Sequence, residues 1–145
     1  MEIDTRDFGK MEIAEDQIIS FPDGLYAFED VRRFALIAPK ANEYPMWLQC
    51  IDNMRPCFIV FDPYIFCEDY NFTLSQGEKT ILGINDNSNI KVLCIAHVPE
   101  DFRDTTVNMK SPIVVNMDNK TAMQVILQDN YPYRQPIYKK MKEEA

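Results

Sequence analysis

Residues 90–98 read IKVLCIAHV. The even positions Ile90, Val92, Cys94, Ala96 and Val98 are all apolar, while Lys91 and His97 stand on the odd face with Leu93 and Ile95. Side chains alternate across a strand, so this register predicts a β-strand with one core face. The same period runs outward in both directions. CFIVF at 57–61 is apolar on both faces and bounded by Pro56 and Pro63, which predicts a central strand covered on two sides. FALIA at 34–38 and MWLQC at 46–50 read alike, and the prolines of PKANEYP turn the chain between them.

Toward the C-terminus, PIVVNM at 112–117 and TAMQVIL at 121–127 flank the polar turn Asp118, Asn119, Lys120, a hairpin pattern preceded by a further strand at 105–109. Short strands are expected near 2–6, 10–13 and 17–21. Several short strands at near-regular spacing argue for an all-β barrel, closed or partly open; the partly open form, mainly β with one short helix, is the expectation. That helix follows Ser75-Gln76-Gly77-Glu78, a capping box in which the serine accepts from an early amide and the glutamate reaches back, and Gly83 marks its stop after about two turns. With no repeat and no composition break, residues 1–145 are expected to form a single domain. Residues 131–145, YPYRQPIYKKMKEEA, carry Pro132 and Pro136 and are expected to lie extended on the surface and then fray.

The chain has 145 residues, 46% hydrophobic and 12% aromatic, enough apolar area for one real core. Its formal net charge of −8 repels phosphate backbones and argues against direct nucleic-acid binding. Lys139, Lys140 and Lys142 form the one basic cluster, and Glu143 and Glu144 follow it. An acidic surface suits a basic partner protein. MEIDTRDFGK at the start carries both signs of charge without the apolar core of a signal peptide, and no run approaches the ~20 apolar residues of a membrane span, so a cytoplasmic protein without membrane contact is expected. Cys50, Cys57, Cys67 and Cys94 are spaced 7, 10 and 27 apart with no C-x-x-C pair, which reads as free, mostly buried thiols.

Candidate chemistry is sparse. His97 is the one histidine, and Cys94 three residues before it is the obvious nucleophile to test, but an odd separation in a strand sends the two side chains to opposite faces. A thiol-dependent enzyme using another cysteine with His97 stays as an alternative, as does a small β-barrel nucleic-acid module stacking bases on aromatics. Zinc needs close Cys or His pairs that are missing, and Gly9, Gly24, Gly77 and Gly83 form no phosphate-binding loop. Pairs such as Asp62 with Glu68 arise by chance among 23 acidic residues. No catalytic, metal or cofactor site is assigned, and none of these groups is expected.

Recognition remains. In SFPDGLYAFED, residues 20–30, Pro22 sets φ and Asp23-Gly24 favours a turn that presents Leu25, Tyr26 and Phe28, followed by Glu29 and Asp30. Phe21 and Phe28 are expected to plug a barrel end, whereas Tyr26, apolar in its ring and polar at its tip, suits an interface. Trp47 is either core or an interface anchor. Gln49, Asn108, Asn116 and Gln124 fall in strand patterns, either as outward polar positions and satisfied barrel-end hydrogen bonds or as a partner surface.

Taken in order, FPDGLYAFE (21–29), PMWLQCID (45–52), FIVFDPYIF (58–66) and VNMKSPIVVNMDNKTAMQVIL (107–127) resemble the flagellar assembly factor family FliW over nearly the whole chain. The family typically has Pro-Gly where this chain has Tyr26-Ala27, and a serine or similar residue in place of Cys50. The resemblance implies a small, mainly β, barrel-like protein without enzymatic activity. It also implies two partners: flagellin, and the basic RNA-binding repressor CsrA, which FliW proteins antagonise until flagellin occupies them. On the positions matching the family pattern, the candidate contacts are Tyr26, Glu29, Gln49, Asp62 and Asn108.

Overall fold

A computed structural model describes residues 1–41 and 43–138. Its strands are β1 (Glu2–Thr5), β2 (Gly9–Glu12), β3 (Ile18–Ser20), β4 (Arg33–Ile37), β5 (Met46–Cys50), β6 (Cys57–Phe61), β7 (Ile90–His97), β8 (Thr106–Val107), β9 (Ile113–Asn116), β10 (Thr121–Gln124) and β11 (Gln135–Pro136). Helix α1 (Gln76–Leu82) lies between β6 and β7. The mainly β barrel with one short α-helix is as expected, and its ring is closed rather than partly open. Neighbouring strands run β7-β6-β5-β4-β3-β10-β9, and β9 pairs back onto β7.

Strand β7 makes the closure possible because it is long enough to hold three neighbours. Its first half pairs with β9 from Ile90↔Asn116 to Leu93↔Ile113, its other edge meets β6 at Val60↔Ile95 and Phe61↔Cys94, and its last residues pair with β8. The seam elsewhere in the ring is far thinner. Strands β3 and β10 run parallel and share the single pair Ser20↔Thr121, with Ser20 N donating to Lys120 O at 2.8 Å.

Apolar residues sit on both faces of the central strands because the barrel is lined inside and clothed outside. Phe21, Phe34, Leu48, Val60, Leu93 and Ile113 fill the interior, where Phe21 meets Phe34 edge-on at 5.2 Å. Outside, Phe61, Tyr70, Leu82, Cys94, Val114 and Leu127 form a second layer beneath α1 and the loop before it. Ile3 and Ile13, contributed by the ends of the β1–β2 hairpin, cover Ala35 and Ile37 on a third side. The expectation of one core face for residues 90–98 is therefore corrected: Leu93 and Ile95 face the barrel interior, and the even-numbered Val92, Cys94 and Ala96 pack into the outer layer. Two covered faces leave a strand no polar side to reveal.

The helix obeys its capping box. Glu78 N donates to Ser75 Oγ at 3.1 Å and Ser75 N to Glu78 Oε1 at 2.7 Å. At the other end, the side-chain amides of Asn116 and Asn119 donate to Leu82 O at 2.9 and 3.0 Å, so the β9–β10 turn satisfies carbonyls that α1 leaves open. Residues 131–138 run along the second layer: β11 pairs with β8, and Tyr131 stacks edge-on against Tyr70 at 4.7 Å. Residues 139–145, with Lys139, Lys140 and Lys142, lie outside the described residues.

Candidate partner-binding surface

The corner at 21–31 is built by local chain geometry. Gly24 has φ of +67°, and a Cβ there would stand 2.6 Å from the Glu29 Cα and carbonyl oxygen, so the doubled-back chain has room only for glycine. Gly24 N donates to Phe21 O at 3.0 Å, Phe28 N to Leu25 O at 2.8 Å, and Val31 N to Phe28 O at 3.0 Å. Arg32 ties the two limbs together, donating Nε to Glu29 O at 2.8 Å and Nη1 to Pro22 O. Ala27 takes φ of +72°, a left-handed conformation, and the turn from Leu25 to Phe28 closes around it.

This folding sorts the aromatic residues. Phe21 and Leu25 enter the barrel core and plug its end, as expected for Phe21. Phe28, expected to be a second plug, instead lies at the surface with its ring edge-on to Phe58 at 5.4 Å. Tyr26 is 55% exposed, and its backbone N donates to Gln124 Oε1 at 3.1 Å, which latches the corner across to β10. Asp23, Leu25, Tyr26, Glu29, Met123 and Gln124 line a cleft of about 260 Å³ at this place. The side chains of Asp23, Glu29 and Asp30 are exposed around it.

The other candidates are not gathered here. Gln49 is 1% exposed, and all its hydrogen-bonding capacity is directed inward: Oε1 accepts from Arg6 N at 3.0 Å, while Nε2 donates to the carbonyls of Cys50, Asn53 and Met54. It points out of the barrel as alternation requires, but the turn after β1 and the loop after β5 cover it, so it is a structural clamp rather than a surface contact. Asn108 is likewise turned to its own chain, its Oδ1 accepting from Lys110 N at 3.1 Å and Ser111 N at 3.0 Å. Asp62 caps the turn at Pro63–Ile65, accepting from Tyr64 N at 2.9 Å, and borders a separate cleft with Tyr64, Ile90 and Lys91. Tyr26 and Glu29 alone share one cleft.

Sequence reasoning missed Arg6 and Asp7. The Arg6 guanidinium grips Asp7 at 2.9 Å and donates to Cys57 O at 2.7 Å, while Trp47 Nε1 donates to Asp7 Oδ2 at 2.9 Å. Trp47 thus serves the outer layer, its ring 5.0 Å from that of Phe8. The hydrogen bond from Arg6, helped by that from Trp47, holds the Asp7 carboxyl below its usual range. No short-range pattern marks such a clamp, since Trp47 stands 40 residues from Asp7 and Cys57 stands 51 from Arg6.

Three of the four thiols, Cys57, Cys67 and Cys94, are held protonated more firmly than a free cysteine, which makes them poor nucleophiles. Burial pushes Cys94 up to about 12 and raises Cys57 and Cys67 as well. His97 is exposed, whereas Cys94 is buried in the outer layer. Among the described residues no group of three or more His, Cys, Asp or Glu side chains is placed to hold a metal ion, and no helix is long and apolar enough to cross a membrane.

A model of one protein family, described as FliW protein, matches residues 2–137. The chain belongs to the FliW family. It is 36% identical over 146 residues to the flagellar assembly factor FliW of Ruminiclostridium cellulolyticum, covering 99% of each chain. The flagellar assembly factor FliW of Exiguobacterium sp. is 39% identical over 138 residues, covering 94% of each. A crystal structure of the flagellar assembly factor FliW superposes with a TM-score of 0.82 at 27% identity, over 94% of this chain and 95% of that one. The closed barrel with its outer layers is therefore the FliW architecture, and the resemblance read from four short motifs is borne out at the level of the family.

Proposed function

We propose that this chain is a non-catalytic cytoplasmic regulator which binds the translational repressor CsrA, relieves its repression of flagellin synthesis, and releases it when flagellin takes its place. The observation that carries the reading is the corner at 21–31, a rigid turn holding Tyr26 and Phe28 at the surface among the exposed carboxylates of Asp23, Glu29 and Asp30. An exposed aromatic rimmed by acidic groups on a chain of net charge −8 suits a basic partner, both for steering and for an anchoring contact. Family membership, and relatives named as flagellar assembly factors, supply the biological setting. Tyr26 and Glu29 are the contact residues in this proposal. Mutual exclusion of the two partners gives the switch its sense, because each partner, once bound, lowers the apparent affinity for the other in proportion to its own occupancy.

Size-exclusion chromatography of the chain with CsrA, with flagellin and with both tests the reading. A complex with each partner, loss of the CsrA complex on adding flagellin, and affinity for CsrA that falls as salt rises are expected. Tyr26→Ala should weaken CsrA binding by about tenfold while leaving the melting temperature unchanged. Separate elution of the folded chain from both partners at micromolar concentration defeats the proposal.

A further inference from the structure

The thin seam of the barrel leaves a strand edge open. Strand β3 ends at Ser20, where the chain turns into the corner, so beyond the single pair Ser20↔Thr121 no strand among the described residues lies beside β10 on that side. Hydrogen bonds along an antiparallel pair alternate between the two edges of a strand. Val125 N donates to Pro112 O at 2.9 Å and Leu127 N to Lys110 O at 2.9 Å, so the odd-numbered amides face β9 and the chain before it. The amides of Gln124 and Ile126 consequently face the open edge, where among the described residues no backbone carbonyl meets them.

The surroundings of this edge are acidic and partly apolar. The cleft holding Asp23, Tyr26 and Glu29 borders residues 123–124, and a second cleft of about 430 Å³, with Leu74, Glu78 and Asp129 in its walls, borders residues 125–129. None of these four carboxylates is in an ion pair among the described residues. The nearby cation Lys110 donates Nζ to Asp129 O at 2.7 Å. Ile126 is 51% exposed on this stretch, an apolar side chain at the centre of an unpaired edge. Natural sheets usually blunt such an edge with a charge, a proline or a cover.

We infer that the open edge of residues 123–128 receives, by strand addition, an extended lysine- or arginine-bearing segment of a partner protein. Backbone pairing to Gln124 and Ile126 supplies affinity, Ile126 and Tyr26 take the apolar side chains of the incoming strand, and the four carboxylates select its basic ones. This deepens the function proposed above and rests on it for the partner's identity.

Amide hydrogen exchange followed by NMR reads the edge directly. On adding CsrA, the amides of Gln124 and Ile126 should slow by at least about tenfold, whereas those of Val125 and Leu127, already bonded, should change little. Ile126→Pro removes an edge donor that has no partner in the free protein and should weaken CsrA binding by about tenfold or more, while Ile126→Ala, which keeps the N–H, should weaken it less. The alternating peptide acetyl-Lys-Val-Lys-Val-Lys-Val-Lys-amide should protect the same two amides, and its glutamate counterpart should not. A CsrA complex that leaves both amides unprotected overturns the strand-addition inference and spares the proposed function. Protection by the lysine peptide with no complex from CsrA or flagellin sinks the function and sustains the edge. If CsrA, flagellin and the lysine peptide all leave the amides unchanged in the wild-type protein, the inference fails whatever Ile126→Pro does.

Discussion

Gly9 and Gly24 share φ of +67°, yet a methyl group at Gly9 would meet nothing within 4 Å, whereas at Gly24 it would lie 2.6–2.7 Å from three backbone atoms of Glu29. Replacing each by alanine therefore separates backbone strain from steric overlap. A left-handed alanine costs about 1–2 kcal/mol, offset by about 0.4–1 kcal/mol because alanine restricts the unfolded chain, so Gly9→Ala should destabilise by about 1 kcal/mol. Gly24→Ala bears the same term plus an overlap that no rotamer can relieve, since the atoms it strikes are backbone. Overpacking of that kind adds about 1–3 kcal/mol, for a total of about 2–4 kcal/mol. Urea unfolding of both variants, with midpoints converted through a shared slope, measures the difference. The corner should also lose its hold on Tyr26, so Gly24→Ala should weaken partner binding and Gly9→Ala should not. Equal destabilisation of the two variants, within about 0.5 kcal/mol, would refute the claim that the corner is sterically closed around Gly24.

Three further outcomes are expected. Gln49→Ala removes the buried acceptor of Arg6 N and the donor to three carbonyls, and should cost about 2–3 kcal/mol in urea unfolding without altering affinity for either partner. Ala27→Gly relieves the left-handed strain at φ of +72° and should raise stability by up to about 1 kcal/mol, read as a higher melting temperature. Cys94, raised from 9.0 to about 12 by burial, favours the folded state fully below its unfolded value and loses that contribution as pH climbs toward the folded one. Thermal stability should thus decline from about pH 8.5 upward, the decline should shrink in Cys94→Ala, and Cys94 should alkylate slowly at neutral pH until the protein is unfolded.

Much of this protein follows from short-range pattern alone. Alternation placed the strands at 46–50 and 57–61 to the residue, the Ser75–Glu78 box placed the helix, and Asp23-Gly24 announced the turn, because each is decided by neighbours within a few residues. Four motifs in order were enough to indicate the FliW family. Tertiary structure alone decided which face of β7 looks into the barrel, that β9 closes onto it, and that Gln49, outward by alternation, is buried beneath Arg6. It also decided that Phe28 stands outside while Phe21 stands inside, though both lie in one short stretch. The physical reason is common to all four. Strand period tells which side chains share a face, but whether that face meets water depends on segments dozens of residues away, and the open edge beside β10 exists only because β3 ends where the corner begins.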